Sequence, residues 1–133
     1  LILVDIDFFK QYNDAYGHPQ GDTLLRQLAT LIGETLNDEA QLYRLGGDEF
    51  AALLHCPNTD TLKRYCRQLI EGLREADFAH SAHPDKKGVT LSVGGSCFVA
   101  DEATFPYAYE AADKALYRVK AMGRDGWQVT EDA

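Results

Sequence analysis

The sequence predicts an α/β (α+β) fold, a mixed sheet of about five strands covered by helices, and three observations predict it. Residues 1 to 6 form a run that is apolar on both faces, as a strand at the centre of a covered sheet requires. Two short apolar runs, 41 to 45 and 50 to 54, flank Gly46-Gly47, a hairpin signal because glycine accepts the positive φ of tight turns. Between and after these strands, apolar residues recur at helical spacing. Strands alternating with helices around one hairpin give the connectivity β-α-β-β-α-β with additions.

The elements follow in order. Pro19 suits the first turn of a helix carrying Leu24, Leu25, Leu28, Leu31, Ile32 and Leu36 on one face. After Pro57, Asp60 is the expected cap of a helix with Leu62, Tyr65, Cys66, Leu69, Ile70 and Leu73 in its stripe. Residues 77 to 88 are polar, contain His80, His83, Pro84 and a Lys86-Lys87-Gly88 turn, and read as an exposed connection with solvated histidines. Val89 to Val99 reads as a strand with a bulge or bend at Gly94-Gly95. Pro106 opens a last helix with Tyr109, Ala112, Leu116 and Val119, closed by Gly123, and Trp127-Gln128-Val129 makes a short final strand. The tyrosines of that helix, like Phe9, read as packing residues rather than platforms for a base.

Composition narrows the function. At 133 residues the chain fits one domain, 1–133. With 21 acidic against 13 basic side chains it is a poor nucleic-acid binder, because that function depends on Lys and Arg neutralising phosphates. A single anionic nucleotide needs only a local positive site, which magnesium held by one or two carboxylates supplies. Cys56, Cys66 and Cys97 are odd in number and widely spaced, so the expectation is core thiols in a reducing, cytoplasmic compartment. No apolar run approaches the ~20 residues that cross a bilayer, so no membrane contact by this domain is expected. The start inside an aliphatic strand reads as a piece excised from a longer protein, whose missing part has room for a membrane anchor or sensor.

The chemistry concentrates in two acidic strand ends. Arg44-Leu45-Gly46-Gly47-Asp48-Glu49-Phe50 sets two carboxylates on the hairpin tip, and Leu1 to Asp7 ends a buried strand in Asp5-Ile6-Asp7. Together the two can hold a hard divalent cation. Asp5-Ile6-Asp7-Phe8-Phe9-Lys10-Gln11-Tyr12-Asn13-Asp14, Gly17-His18, Gly21-Asp22, Arg44 to Phe50 and Lys120-Ala121-Met122-Gly123-Arg124 together resemble the GGDEF domain of diguanylate cyclases, over nearly the whole chain.

That resemblance implies a ferredoxin-like core related to the nucleotidyl cyclase palm. It implies condensation of two GTP into cyclic di-GMP, with release of two pyrophosphates, between two facing domains of a transient or regulated homodimer. By position, Asp5, the carbonyl of Ile6 and Asp48 bind Mg2+ or Mn2+, two ions per active half-site, and Asp48 is the expected proton acceptor for the 3′-hydroxyl. Asn13 and Asp22 match the guanine-reading positions. Lys10, Lys120, Arg124 and the backbone around Phe8, Phe9 and Lys10 match the phosphate ligands, and Gly47 leaves room for the ribose. The family further implies a covalently linked N-terminal sensory or regulatory domain.

Several residues carry a second reading. His18 caps the helix before Pro19 or edges the guanine pocket, Glu49 serves turn geometry or the dimer interface, and Lys120 and Arg124 also complement the negative end of the last helix. The chain departs from the family in three places. Asn37-Asp38-Glu39-Ala40 stands where an Arg-x-x-Asp product-inhibition motif is common, so no primary inhibitory site is expected. Asp125 stands where Asn is common, putting a negative charge beside Arg124. The helix that usually precedes the first strand is absent. The rival functions are a catalytically silent GTP-binding regulatory domain, a phosphoacceptor receiver domain, and a cyclase of relaxed base specificity.

Overall fold

A computed structural model describes residues 1–36, 38–99 and 104–130 of the chain. The elements run β1 (Ile2–Ile6), α1 (Phe9–Tyr16), α2 (His18–Thr35), β2 (Gln41–Gly46), β3 (Glu49–Leu53), α3 (Thr59–Ala76), β4 (Leu91–Ser96), α4 (Phe105–Ala121) and β5 (Gly126–Thr130). The strands form one sheet ordered β2-β3-β1-β4-β5. The first four pair antiparallel in the ferredoxin-like order. β5 joins β4 in parallel, with α4 as the crossover that a parallel neighbour requires.

β1 is buried along its whole length, and its side chains alternate between two apolar layers. Ile2, Val4 and Ile6 pack with Leu24, Leu28, Ile32, Leu62, Leu69 and Val93 in the larger cluster, on the face covered by α2 and α3. Leu1 and Leu3 meet Ala51, Ala112 and Leu116 beneath α4. By the same alternation Asp5 faces α4.

The structure corrects several expectations. His18 is the first residue of α2, exposed, and caps nothing; Gly17 (φ 91°) holds the cap position and Pro19 sits in the first turn. α3 is capped by Asn58, whose Oδ1 accepts from the Thr61 N–H at 2.8 Å, while Asp60 lies in the first turn, where its charge meets the positive end of the helix. β4 runs unbroken through Gly94-Gly95. A Cβ on Gly94 would lie 2.4 Å from the Ala112 carbonyl and 2.5 Å from the Leu116 nitrogen, so this glycine lets α4 lie on the strand rather than bending it. Neither Gly46 nor Gly47 has positive φ; the hairpin turns at Gly47-Asp48 with a register shift between Arg44 and Gly46.

The segment from 77 to 88 is largely exposed, as expected of a connection, but its two histidines are not solvated. Ala79 bridges Gly88, and the ribbon folds His80 (0% exposed) and His83 (9%) inward, where His80 Nε2 and both ring nitrogens of His83 find partners. In α4 the buried stripe is Ala108, Ala112, Ala115, Leu116 and Val119. Tyr109 packs half-buried against it, but Tyr107 and Tyr117 lie off the stripe and are exposed, contrary to the packing role expected of them. Phe9 and Cys66 are buried as expected, and Cys56 and Cys97 lie half-buried against the core. Asn37, first residue of the expected gap in the inhibitory motif, lies outside the described residues. Among the described residues, no helix is long and apolar enough to cross a membrane.

Candidate active site

The end of β1 and the hairpin tip are stitched together by the backbone. Asp5 pairs with Glu49 across β1–β3, and the Ile6 N–H donates to the Asp48 carbonyl at 3.0 Å. This register sets the Asp48 carboxyl beside that of Asp5. From the last turn of α4, Lys120 reaches back to form an ion pair with Asp5 Oδ2. Burial pushes the Asp5 carboxyl up, Lys120 pulls it down, and the charge and hydrogen bond of Asp48 push it up again, leaving it at about 6. Glu49 is half-buried, and its carboxyl is raised by burial, with Lys120 opposing and Asp113 and Asp48 adding to the rise.

Among the described residues no cluster of three or more His, Cys, Asp or Glu side chains could hold a metal. The donors brought together here are the carboxylates of Asp5 and Asp48. That set fits a magnesium ion, which takes one or two carboxylates and completes its shell with water and substrate phosphates. The Asp5 carboxyl is raised first by burial and then by Asp48, and a cation beside it favours the ionised form, as Lys120 does in part.

Next to this pair, Phe8 turns the chain from β1 into α1 in the left-handed region, at φ 57°. The first-turn N–H groups of α1 have no intrahelical acceptor, and with the helix dipole they form an anion-facing surface. Lys10 stands exposed in that turn. The Arg124 guanidinium lies 5.0 Å from the centre of the Phe8 ring, within cation-π range, on a turn where Gly123, Arg124 and Asp125 all have positive φ. Asp125 does not compete for Arg124 as its charge implied. Its carboxylate pairs with Lys86 and, at 3.6 Å, with Arg74.

Asp7, grouped by sequence with Asp5 in an acidic strand end that holds a cation, has its carboxylate occupied by other partners. It is 2% exposed; Oδ1 accepts from Ser92 Oγ at 2.6 Å, and Oδ2 from Thr90 Oγ1 at 2.7 Å and the Asp125 N–H at 3.0 Å. It therefore ties the end of β1 to β4 and to the turn carrying Arg124. The repeated acid in Asp5-Ile6-Asp7 was its only signal.

On the other side of α1, Asn13 lies against α2. Its Oδ1 is buried without a partner, and a Cβ on Gly21 would lie 1.8 Å from it, so Gly21 makes the space Asn13 occupies. Asp22, the next residue, is exposed and lines an open cleft of about 500 Å³ with Leu25, Arg26, Leu42, Arg44 and Phe50. Arg44, without an expected role, donates to the Gly47 carbonyl at 3.0 Å and braces the hairpin tip. The structure thus brings together Asp5, Asp48 and Lys120, then Phe8 with Arg124, and Asn13 with the Gly21-Asp22 turn of α2; Lys10, His18 and Gly47 stand exposed.

Residues 1–126 match the family described as "Diguanylate cyclase, GGDEF domain". The chain belongs to the GGDEF family. This GGDEF chain is 37% identical over 131 residues to the diguanylate cyclase DgcP of Pseudomonas aeruginosa, covering 97% of the chain and 19% of the relative. It is 32% identical over 125 residues to diguanylate cyclase A of Treponema denticola, covering 94% of the chain and 33% of the relative. It therefore spans a third or less of either protein. Its fold superposes on the GGDEF domain of DgcB from Caulobacter crescentus, solved in complex with c-di-GMP, with a TM-score of 0.82 at 26% identity, covering 98% of this chain and 77% of that one. The active GGEEF domain of a Vibrio cholerae diguanylate cyclase gives 0.80 at 29% identity, covering 99% and 82%.

Proposed function

We propose that this GGDEF domain is a diguanylate cyclase, condensing two GTP molecules into cyclic di-GMP with release of two pyrophosphates where two copies face each other. The observation that carries this reading is the adjacent pair Asp5 and Asp48, held by the β1–β3 register beside the Phe8 turn and Arg124. Asp5, Asp48 and the Ile6 carbonyl would hold Mg2+ or Mn2+, two ions per half-site. Bound there, the ions supply charge neutralisation for the triphosphate and the leaving pyrophosphate.

The chain's own residues do the rest. Lys10, Arg124 and the N–H groups following Phe8 and Phe9 grip the terminal phosphates. Lys120 keeps Asp5 ionised and directs its remaining donors to phosphate. Asn13 Oδ1, with no partner of its own, and the Asp22 carboxylate accept from guanine N1–H and N2–H; adenine lacks that donor pair and leaves both unpaired. His18 edges this pocket. A Cβ on Gly47 meets nothing within 4 Å, so the space beside the tip is open to the ribose. Asp48 takes the proton of the 3′-hydroxyl, and Glu49 shapes the turn at the interface of the copies. Relatives are several times longer than this chain, and one from Staphylococcus saprophyticus, 34% identical, is named an uncharacterized membrane protein. The reading therefore extends to a covalently linked sensory or regulatory region, with an inner-membrane tether in some architectures and the GGDEF domain in the cytoplasm.

The test is product formation from GTP and magnesium, read by chromatography with mass detection, on the chain fused to a constitutive dimeriser. Cyclic di-GMP is expected from the parent and at least a hundredfold less from Asp48→Ala, the order expected for loss of a residue that both binds the ion and accepts the proton. GTP binding and dimerisation without product in the parent would leave a silent GTP-binding domain as the correct reading.

A further inference from the structure

His80 lies outside the blocks that carry the family resemblance, yet it is completely buried. Its Nε2 lies 3.0 Å from the carbonyl oxygen of Phe8, 72 positions away in the chain. A carbonyl only accepts, so Nε2 carries the proton and donates. Nδ1 is buried with no partner. Leaving such a polar atom unpaired costs about 1–3 kcal/mol, a cost a phenyl ring of similar shape would avoid. The fold alone gives no reason for an imidazole here; the bond to Phe8 does.

The partner of that bond is the strained residue of the phosphate site. Phe8 holds φ 57°, a conformation that disfavours residues with a Cβ and persists only where neighbours impose it. Its carbonyl accepts from the Tyr12 N–H at 3.0 Å as well as from His80. Its ring centre lies 5.0 Å from the Arg124 guanidinium and 4.7 Å from the centre of the His83 ring, in a T-shaped contact. His83 is itself fixed: Nδ1 accepts from the N–H groups of Asp85 and Lys86, so Nε2–H donates to Thr90 Oγ1, which donates to Asp7. The His80 ring also makes T-shaped contacts with Tyr12 of α1 and with His83.

We propose that His80 is a positioning residue for the nucleotide's terminal phosphates, holding the Phe8 carbonyl and with it the left-handed turn that presents the first N–H groups of α1 and sets the Phe8 ring against Arg124. The inference rests on the proposed GTP site but assigns a role to a residue outside it.

The test is calorimetric binding of GTP and of guanosine, with magnesium, to the wild-type protein and to His80→Phe and His80→Gln. In His80→Phe the preference for GTP over guanosine falls about tenfold, the order of one lost hydrogen bond at the turn, while guanosine affinity and melting temperature hold or rise. His80→Gln, whose amide N–H takes the place of Nε2–H, restores the preference to within about threefold of wild type. An unchanged preference in His80→Phe overturns the inference alone, whereas a wild-type protein indifferent to the phosphates overturns the proposed function and the inference with it. Should His80→Phe not fold, nitrogen NMR of the wild-type imidazoles decides: magnesium pyrophosphate shifts the His80 Nε2 resonance and guanosine does not, and a resonance unmoved by pyrophosphate counts against the inference.

Discussion

Asp5 shows how one buried carboxyl couples folding to the metal. Its value of about 6 in the fold lies above the 3.8 of a free side chain, so the folded state holds this proton more tightly than the unfolded one. Its contribution to metal-free stability is therefore complete below pH 3.8 and is lost as pH rises through 6. Magnesium selects the ionised form, so its affinity should fall about tenfold per pH unit below 6 and level off above it. Melts and magnesium titrations between pH 5 and 8 check both, and Asp5→Asn should flatten the first and abolish the second. Asn13 offers a second test. Gly21→Ala drives a methyl into its amide oxygen, which must swing away. GTP affinity should drop about tenfold, the order of one hydrogen bond, while helix propensity keeps stability within about 1 kcal/mol. At this scale the acids were legible, because a carboxylate at a strand end or a glycine turn has few other uses. His80 and His83 were not, because their burial depends on Phe8 and Thr90, 72 and 7 positions away, and no local pattern records a carbonyl or hydroxyl waiting in the core.

Elements were easier to read than their joints. β1, the hairpin and the three long helices announce themselves by unbroken or periodic apolar residues, and the structure has them within a residue or two. α1 was missed as a helix because its eight residues bury only Phe9 and Tyr12, too little periodicity to stand out from the motif around it. Asn58, which caps α3, lies two residues before the expected Asp60 and has similar chemistry, and it is the extended backbone of Asn58 that makes it the cap. Gly94 was misread because a glycine inside a strand signals either a bend or a close neighbour, and sequence does not say which. The structure makes it a seat for α4, and α4 carries Lys120 to Asp5. Gly94→Ala should therefore destabilise the fold by about 1–3 kcal/mol in urea melts, through overpacking against helix backbone that cannot yield locally. It should also lower cyclase activity more than binding of guanosine, because the displaced helix moves Lys120 and leaves Asn13 in place. An alanine variant of full stability would show that α4 does not rest on this residue.

The whole molecule carries a net charge of −8, and the proposed reaction needs two such molecules face to face. Like charges slow their encounter, and the site's local cations, Lys10, Lys120 and Arg124, are reserved for nucleotide. Dimerisation should then limit turnover in dilute solution: at a fixed, sub-saturating concentration of magnesium-GTP, activity per molecule should rise with protein concentration. It should rise also with salt, as the screening length falls from about 30 Å at 0.01 M to about 8 Å at 0.15 M. A single self-sufficient site behaves oppositely, since its activity per molecule is constant and salt only weakens its grip on the triphosphate. Fusion to a constitutive dimeriser separates the two. It should abolish the concentration dependence and leave only the decline with salt, because the repulsion between copies has been overcome by the linkage while the contacts to phosphate have not changed. Constant specific activity of the unfused chain down to nanomolar protein, falling with salt throughout, would mean that the facing of two copies is not what makes this acidic domain a catalyst.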